Sequence, residues 1–289
     1  MRTALCAAAL VLSIVVGTGA AGRSRANPPH AIAAAGDIAC AGSCHQAATA
    51  ALLQRGHYDA ILALGDLQYG GATLPLFRRW YGSTWGRPTL KAITHPAPGN
   101  HEYEDAGARG YFAYFGAAAA EPGKGWYSFD LGAWHLVALN SNCGFVGGCG
   151  VGSLQERWLR ADLAASGARC TLAYWHHPRY SSGLHGDDPR TAALWADLVA
   201  AGAELVLSGH DHDYERFAPR QGIRELVVGT GGKSLYPLRP GPLRSPGSQR
   251  AQNSSYGILE LTLGDDDYAW RFVRTDGSVF DRGRGLCHD

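Results

Sequence analysis

The chain has 289 residues, with 26 basic and 25 acidic side chains and a formal charge of +1. This length fits one large domain or two small ones. Because the sequence contains no block of basic residues, it argues against a nucleic acid or an anionic membrane as the main partner.

The N-terminus has the pattern of a secretory signal peptide. Arg2 is followed by an apolar run from Ala4 to Val16 and then by small residues from Gly17 to Gly22. This run is shorter than the roughly 20 apolar residues that a membrane-spanning helix requires. We therefore predict a signal peptide within residues 1–26, cleaved between about residues 20 and 26, and no transmembrane segment.

The cysteines support export. The sequence has seven, and loss of Cys6 with the signal peptide leaves six, an even number that favours disulfides in an exported chain. Their spacing favours the pairs Cys40–Cys44, Cys143–Cys149 and Cys170–Cys287, among many possible pairings. The alternative of a cysteine-based zinc site is weaker because the sequence has no C-x-x-C pair.

Four short apolar runs, at residues 31–35, 60–64, 171–175 and 204–207, stop at polar residues able to carry chemistry. Runs of this length bounded by Gly or Pro are typical of buried strands. Between them, apolar residues at helical spacing predict helices at 45–55, 154–166 and 190–201. This alternation predicts an α/β fold with a substantially parallel sheet.

The C-terminal part is richer in strand patterns, at residues 226–228, 256–263 and 268–275, and we expect it to complete a second sheet. The Pro- and Gly-rich segment 237–247 is interpreted as a surface loop. No change in composition marks a second domain, so we predict one catalytic domain from about residue 30 to 289.

The polar residues at the strand ends form a set. Asp37 and Asp66 each follow a glycine, Asn100 and His101 follow the apolar stretch 92–97, His176 ends another strand, and His210 and His212 lie two apart. A single Gly-Asp is most often a turn or a helix cap. However, sites in open α/β sheets form at the carboxyl ends of strands, so these residues are expected to converge. Oxygen ligands mixed with imidazoles suit Fe, Mn or Zn, and a set of this size is enough for two ions.

In this order the motifs resemble the calcineurin-like metallophosphoesterases. The motifs are Gly36-Asp37, Gly65-Asp66, Gly99-Asn100-His101-Glu102, His176 and Gly209-His210-Asp211-His212. Tyr69, three residues after Asp66, resembles the purple acid phosphatase branch, as do the segments 126–130, 155–159 and 209–216. The resemblance extends over residues 31–279. It implies a four-layer α/β/β/α sandwich of two mixed sheets, with a dimetal site at the C-terminal ends of strands.

The resemblance also implies roles for individual residues. Asp37, Tyr69 and His212 would hold Fe(III). Asp66 would bridge to a divalent Fe, Zn or Mn held by Asn100, His176 and His210. His101 and His185 would contact the phosphate ester and protonate the leaving group. Relatives outside this branch carry a histidine two residues after the first aspartate, where this chain has Ala39, and Tyr69 would replace that ligand.

Two residues near the motifs, Glu102 and Arg216, either hold ligands in place or are ordinary surface charges. His177 directly follows His176, so its side chain is predicted to point away from the site.

Together these expectations describe an exported acid phosphatase that uses metal-bound hydroxide to hydrolyse small phosphate monoesters. The alternatives are a phosphodiesterase acting on nucleotides or phospholipid headgroups and, less favoured, an inactive secreted binding module.

Overall fold

The computed structural model describes Met1 and residues 28–288. The predicted signal peptide from Arg2 onward, including Cys6, therefore lies outside the described residues. Within the described part of the chain, no helix is both long enough and apolar enough to span a bilayer.

The strands of the described chain form two mixed sheets. They are β1 His30–Ala35, β2 Ala60–Leu64, β3 Thr94–Ala97, β4 Tyr127–Leu131, β5 Trp134–Ala138, β6 Cys170–Tyr174, β7 Leu205–Ser208, β8 Tyr214–Phe217, β9 Arg224–Val228, β10 Ser248–Gln252, β11 Gly257–Leu263, β12 Asp267–Arg274 and β13 Val279–Leu286. The first sheet has the order β13-β12-β11-β1-β2-β3, and the second has the order β10-β8-β9-β7-β6-β5-β4. Strands β1–β3 are parallel, as are β5, β6, β7 and β9.

Helices cover the outer faces. They are α1 Gln46–Arg55, α2 Leu74–Leu76, α3 Pro88–Lys91, α4 Arg109–Phe115, α5 Leu154–Ala165 and α6 Ala192–Ala200. A π-helical turn, Phe77–Tyr81, continues α2, and short 3₁₀ turns occur at His101–Glu104, Ala106–Ala108, Gly116–Ala119, Pro189–Thr191 and Gly241–Leu243. Helix α1 packs on β11, and α5 packs on α6 and is hydrogen-bonded to β4 and β5 through Asp162. The predicted α/β/β/α architecture is confirmed.

The predicted strands at 31–35 and 60–64 lie side by side in the first sheet as β1 and β2. Every residue of β2 is buried, because one face of the sheet packs on helices and the other on the second sheet. The three predicted helices appear as α1, α5 and α6, each within two residues of its predicted ends.

The prediction for the C-terminal strands is partly wrong. Strand β9 belongs to the second sheet, as expected, together with β8 and β10, which were not predicted. However, the predicted strands β11 and β12, followed by β13, extend the first sheet through an antiparallel pairing of β11 with β1. The strand pattern of a segment does not indicate which sheet the strand joins, because that depends on which open sheet edge it meets. The returning strands thereby cover the β1 side of the first sheet.

The three predicted disulfides are present: Cys40–Cys44, Cys143–Cys149 and Cys170–Cys287. The first two close small loops next to the carboxyl ends of β1 and β5. The third joins β6 to the end of β13, across 117 residues of sequence. It therefore links the second sheet to the last strand of the first.

Candidate metal centre

The segments that leave β1 and β2 run side by side. Asp37 N–H donates to Gly65 O (3.0 Å), Ile38 N–H to Asp66 O (3.0 Å), and Tyr69 N–H to Ala39 O (2.8 Å). These bonds align the two Gly-Asp turns, so their carboxylates face each other. They also carry the Tyr69 side chain back over both aspartates, next to Ala39.

The Tyr69 hydroxyl lies between three candidate ligands. Its oxygen is 2.7 Å from Asp37 Oδ1, 3.0 Å from Asp66 Oδ2 and 2.9 Å from His212 Nε2. All four residues are buried. A phenol has one proton to donate and cannot satisfy all these acceptors. Two buried carboxylates this close to one oxygen form a cluster that a cation would stabilise.

Histidines complete the cluster. His176 Nε2 is 3.2 Å from Asp66 Oδ2, and His210 Nδ1 is 3.2 Å from His176 Nε2. Ligating atoms of Asp37, Asp66 and His176 all lie within 4.8 Å of one another. The Nδ1 atom of His176 bonds to Leu64 O (2.9 Å) and that of His212 to Ser234 O (2.5 Å). Each bond directs the ring's Nε2 at the cluster, as hydrogen bonds to the other ring nitrogen do for metal-binding histidines.

Asn100 follows β3 and lies beside Asp66. Its amide Oδ1 is buried and has no hydrogen-bond partner, while the next residue, His101, donates its backbone N–H to Asp66 Oδ1 (2.8 Å). A buried amide oxygen without a partner is costly in a folded protein unless an ion or water binds it. The structure thus brings together all seven predicted ligand candidates, namely Asp37, Asp66, Tyr69, Asn100, His176, His210 and His212.

The backbone at this site is strained. Asp37, Asp66 and His210 have positive φ angles of 61°, 50° and 69°. Residues other than glycine rarely adopt this left-handed conformation, which costs free energy that the surrounding fold must supply. Strain concentrated in candidate ligands is typical of functional sites.

Two glycines of the motifs allow the close packing. Gly65 has φ of 84°, and a Cβ atom there would lie 2.6 Å from the His176 ring. A Cβ atom on Gly209 would lie 2.6 Å from Asp37 Oδ2. These glycines let the strand ends approach closely enough for the side chains to meet.

Glu102 holds the β2 and β3 ends together. Its fully buried carboxylate accepts backbone N–H groups from Asp66 (2.9 Å), Leu67 (2.9 Å), Gln68 (3.3 Å) and Gly99 (2.7 Å). Burial, followed by the charge of Asp66, raises the pKa of Glu102 to about 8. Glu102 thus orients two ligand-bearing loops, which was one of the two roles left open for it.

Arg216, the other residue with two possible roles, lies away from the cluster. Its guanidinium pairs with Asp281 (2.7 Å) and faces the Trp270 ring. It therefore links β8 to β12 and β13 and does not orient a ligand candidate.

The charges within the cluster strongly shift the pKa values of its side chains. Burial alone would lower the pKa of His176, but the Asp66 carboxylate outweighs burial and raises it to about 9. Burial and the neighbouring His176 lower the pKa of His210 to about 3. Burial opposes ionisation of Asp66, yet His176 and His101 hold its pKa well below the usual range. Metal binding requires ionised carboxylates and neutral imidazoles, so the raised pKa of His176 means that a bound metal ion would displace its proton.

His101 and His185 lie at the mouth of the cluster. The His101 ring lies 4.2 Å from the Tyr69 ring, with Nδ1 2.5 Å from Glu104 Oε1 and Nε2 3.8 Å from Asp66 Oδ2. The His185 ring lies 4.1 Å from the His210 ring. Both side chains are part-exposed, at 31% and 41%, so each can reach a ligand from solvent.

Four neighbouring residues were not predicted from the sequence. The expectation that His177 points away is wrong: its ring packs on His176 and His210 at 4.9 and 4.4 Å, and Nδ1 bonds to Ser141 Oγ at 2.8 Å. The i, i+1 alternation fails here because the strand has already ended at Tyr174. The other three are Asp211, Lys233 and Tyr236.

Asp211 positions His185. Its buried Oδ1 accepts both the backbone N–H (2.8 Å) and Nδ1 (2.9 Å) of His185, and Oδ2 accepts the Ser181 hydroxyl (2.5 Å). The position of Asp211 between two ligand candidates in Gly209-His-Asp-His was a usable signal for this role. No sequence signal indicated Lys233 or Tyr236, which come from a loop.

The donor set fits a pair of hard or borderline metal ions. It combines two carboxylates, a phenol, an amide oxygen that has no partner and three imidazoles. Such oxygen and nitrogen ligands suit Fe, Mn and Zn, and the number of donors exceeds what one ion requires.

Comparison with known proteins identifies relatives. The family model for calcineurin-like phosphoesterases matches residues 30–214. Purple acid phosphatase 21 of Arabidopsis thaliana is 27% identical over 256 residues, covering 78% of this chain and 56% of that protein. Acid phosphatase type 7 of Homo sapiens is 28% identical over 218 residues, covering 66% and 47%. The chain thus spans about half the length of these relatives.

The fold also matches a solved structure. Purple acid phosphatase PPD1 from yellow lupin (Lupinus luteus) seeds superposes with a TM-score of 0.73 at 18% identity, over 89% of this chain and 53% of that one. At this identity the likeness establishes the fold alone.

Proposed function

The chain belongs to the calcineurin-like phosphoesterase family, and on that premise we propose that it is an exported phosphomonoesterase of the purple acid phosphatase type with two metal ions. The observation that carries the proposal is the Tyr69 hydroxyl, which lies within 3.0 Å of Asp37, Asp66 and His212. This chain has Ala39 where other branches carry a histidine, and Tyr69 lies beside it. Residues 30–289 would act as one catalytic domain.

In this proposal one ion is Fe(III), held by Asp37, Tyr69 and His212. Asn100, His176 and His210 would hold the second, a divalent Fe, Zn or Mn, and Asp66 would serve as a ligand of both. Such a pair of ions would activate a water molecule near neutral pH and neutralise charge on the phosphate oxygens. The unpartnered Asn100 oxygen and the directed Nε2 atoms of His176 and His212 support this assignment.

The part-exposed histidines would contact the phosphate and protonate the leaving group. His101 lies beside Tyr69, and its Nδ1 contact with Glu104 leaves Nε2 facing the cluster at 3.8 Å from Asp66. His185 is fixed by Asp211 at the opposite side of the mouth. We assign His101 as the proton donor to the departing alkoxide or phenolate, with His185 as a second contact to the phosphate.

Export is supported by the disulfides. Three bridges use every cysteine outside the predicted signal peptide, and disulfides persist in oxidising compartments. The N-terminal pattern of Arg2, an apolar run and small residues gives the same expectation.

The test is a visible absorption spectrum combined with metal analysis on protein purified through its export route. We expect about two ions per chain and a phenolate-to-iron band that Tyr69→Phe removes. Two ions without the band would still support a metal-dependent hydrolase. They would indicate Mn or Zn in place of iron and show that Tyr69 is not a phenolate ligand. Protein that binds no metal would overturn the proposal. Comparing turnover of an aryl phosphate and a bis-aryl phosphate then separates monoesterase from diesterase.

A further inference from the structure

The segment from Lys233 to Arg239, here called the strap, crosses the mouth of the candidate metal centre. Its backbone is bound to ligand-bearing loops: Lys233 N–H donates to Asp37 O (2.9 Å), Tyr236 N–H donates to His212 O (3.1 Å), and Arg239 N–H donates to Ser182 O (2.8 Å). Ser234 O accepts from the His212 ring. The strap is therefore a fixed wall of the site, although its C-terminal part was expected to be a surface loop.

Every third side chain of the strap meets the site. Lys233 Nζ lies 5.1 Å from the centre of the Tyr69 ring, and the Tyr236 ring stacks on His212 at 3.8 Å. Arg239 donates to the carbonyls of Leu184 and His185, both at 3.2 Å. Prolines at 237 and 240 restrict the backbone of this segment.

The strap carries two cationic side chains, Lys233 and Arg239. Among the described residues, neither Lys233 nor Arg239 forms an ion pair, and both are part-buried. By contrast Arg190, which lines a cavity with His185 and His210, is held by Asp188. Part-buried cations without carboxylate partners bind anions well, because little of their charge is already compensated.

We infer that the strap forms a second anion subsite, with Lys233 as its main group, and that it selects substrates carrying a further phosphate next to the scissile one. This inference rests on the proposed function, in which the metal pair receives the scissile phosphate. Lys233 lies on the Tyr69 side of the centre, so a neighbouring phosphate reaches it while the first stays on the cluster. Inorganic pyrophosphate is the simplest such substrate: one water is consumed, one P–O bond breaks and two phosphates form.

The alternative is that Lys233 only packs on the Tyr69 ring. A cation over an aromatic ring stabilises the fold and changes the acidity of the phenol, which would affect the turnover of all substrates alike. The two roles are therefore separated by the ratio of kcat/KM for a substrate with two phosphates to kcat/KM for a substrate with one, because a purely structural lysine changes both values equally.

The test compares kcat/KM for pyrophosphate with kcat/KM for p-nitrophenyl phosphate in metal-loaded protein. In Lys233→Gln we expect the ratio to fall about tenfold, as for loss of one hydrogen bond to a charged group. Lys233→Arg keeps the charge and should largely preserve the ratio. Arg282→Gln removes an equivalent charge from the exposed strand β13, away from the site, and serves as the matched control.

An equilibrium measurement accompanies the kinetics. Titration calorimetry with imidodiphosphate, which is not hydrolysed, and with phosphate should show that Lys233→Gln weakens only the former, about tenfold. Arg239→Gln is measured in parallel, so the inference stays testable if Lys233→Gln does not fold. An unchanged ratio in both folded variants would overturn the subsite. Wild-type protein with bound metals that hydrolyses neither compound would instead overturn the proposed function.

Discussion

Glu102→Gln should destabilise the scaffold of the metal centre even without metal. The Glu102 carboxylate accepts four backbone N–H groups, two on each oxygen. A glutamine of the same shape can accept on one side only and turns an N–H₂ group toward the two donors on the other. Each buried donor left unpaired costs about 1–3 kcal/mol, so we expect a loss of about 3 kcal/mol in the free energy of unfolding.

This loss corresponds to a fall of roughly 6–12 °C in melting temperature for a chain of this size. The assay is thermal unfolding followed by circular dichroism at about pH 9, above the raised pKa of Glu102, so that its carboxylate is ionised. The protein is treated with chelator, so that bound metal does not contribute. Glu121→Gln is the control, because the exposed Glu121 pairs with Lys124 on the surface and its replacement should change little. If Glu102→Gln melts within about 2 °C of wild type, the four bonds do not hold the two loops, and the reasoning fails.

Three further predictions follow from the same contacts. Asp66→Ala should lose bound metal and turnover, whereas His101→Ala should keep the metal and lose about 10²–10⁴-fold in kcat, as metal analysis and kinetics on the same samples would show. Replacing Cys170 and Cys287 with serine should cost about 4 kcal/mol because the closed loop is long, and urea unfolding measures it. Hydrogen bonds that the His135 ring donates to Asp162 and Asp130 raise its pKa above the usual 6.5. The stabilisation from His135 is therefore present below that pH and lost as the pH rises through the raised pKa. The stability difference between wild type and His135→Gln should accordingly shrink as the pH rises above the usual 6.5 and through the raised pKa.

The candidate site could be predicted from sequence because its residues stand where strands end. Asp37, Asp66 and His176 follow buried apolar runs, and parallel strands bring their carboxyl ends to one edge. The order of the motifs along the chain was therefore enough to predict that these side chains converge. Their Gly-Asp pairs also matched the turns that the close approach requires.

The parts that could not be predicted depend on contacts distant in sequence. Lys233 and Tyr236 reach the site only because the strap is bound to Asp37 and His212, which no local pattern indicates. The aromatic segment 77–81 forms a π-helical turn, which lacks the apolar spacing of an α-helix. Strands β4 and β5 were missed because they carry polar residues on a face covered by α5.

The strain at Asp37, Asp66 and His210 shows how the fold and the site depend on each other. Each of these residues adopts a left-handed backbone directly after a buried strand end, a conformation that costs of order 1–3 kcal/mol per residue. The two carboxylates are also buried, and the imidazole half-buried, beside like or competing groups. The rest of the structure must supply this free energy through the packed sheets and through Glu102. A bound cation would return part of it, so the arrangement is more costly as a purely structural feature than as a metal site.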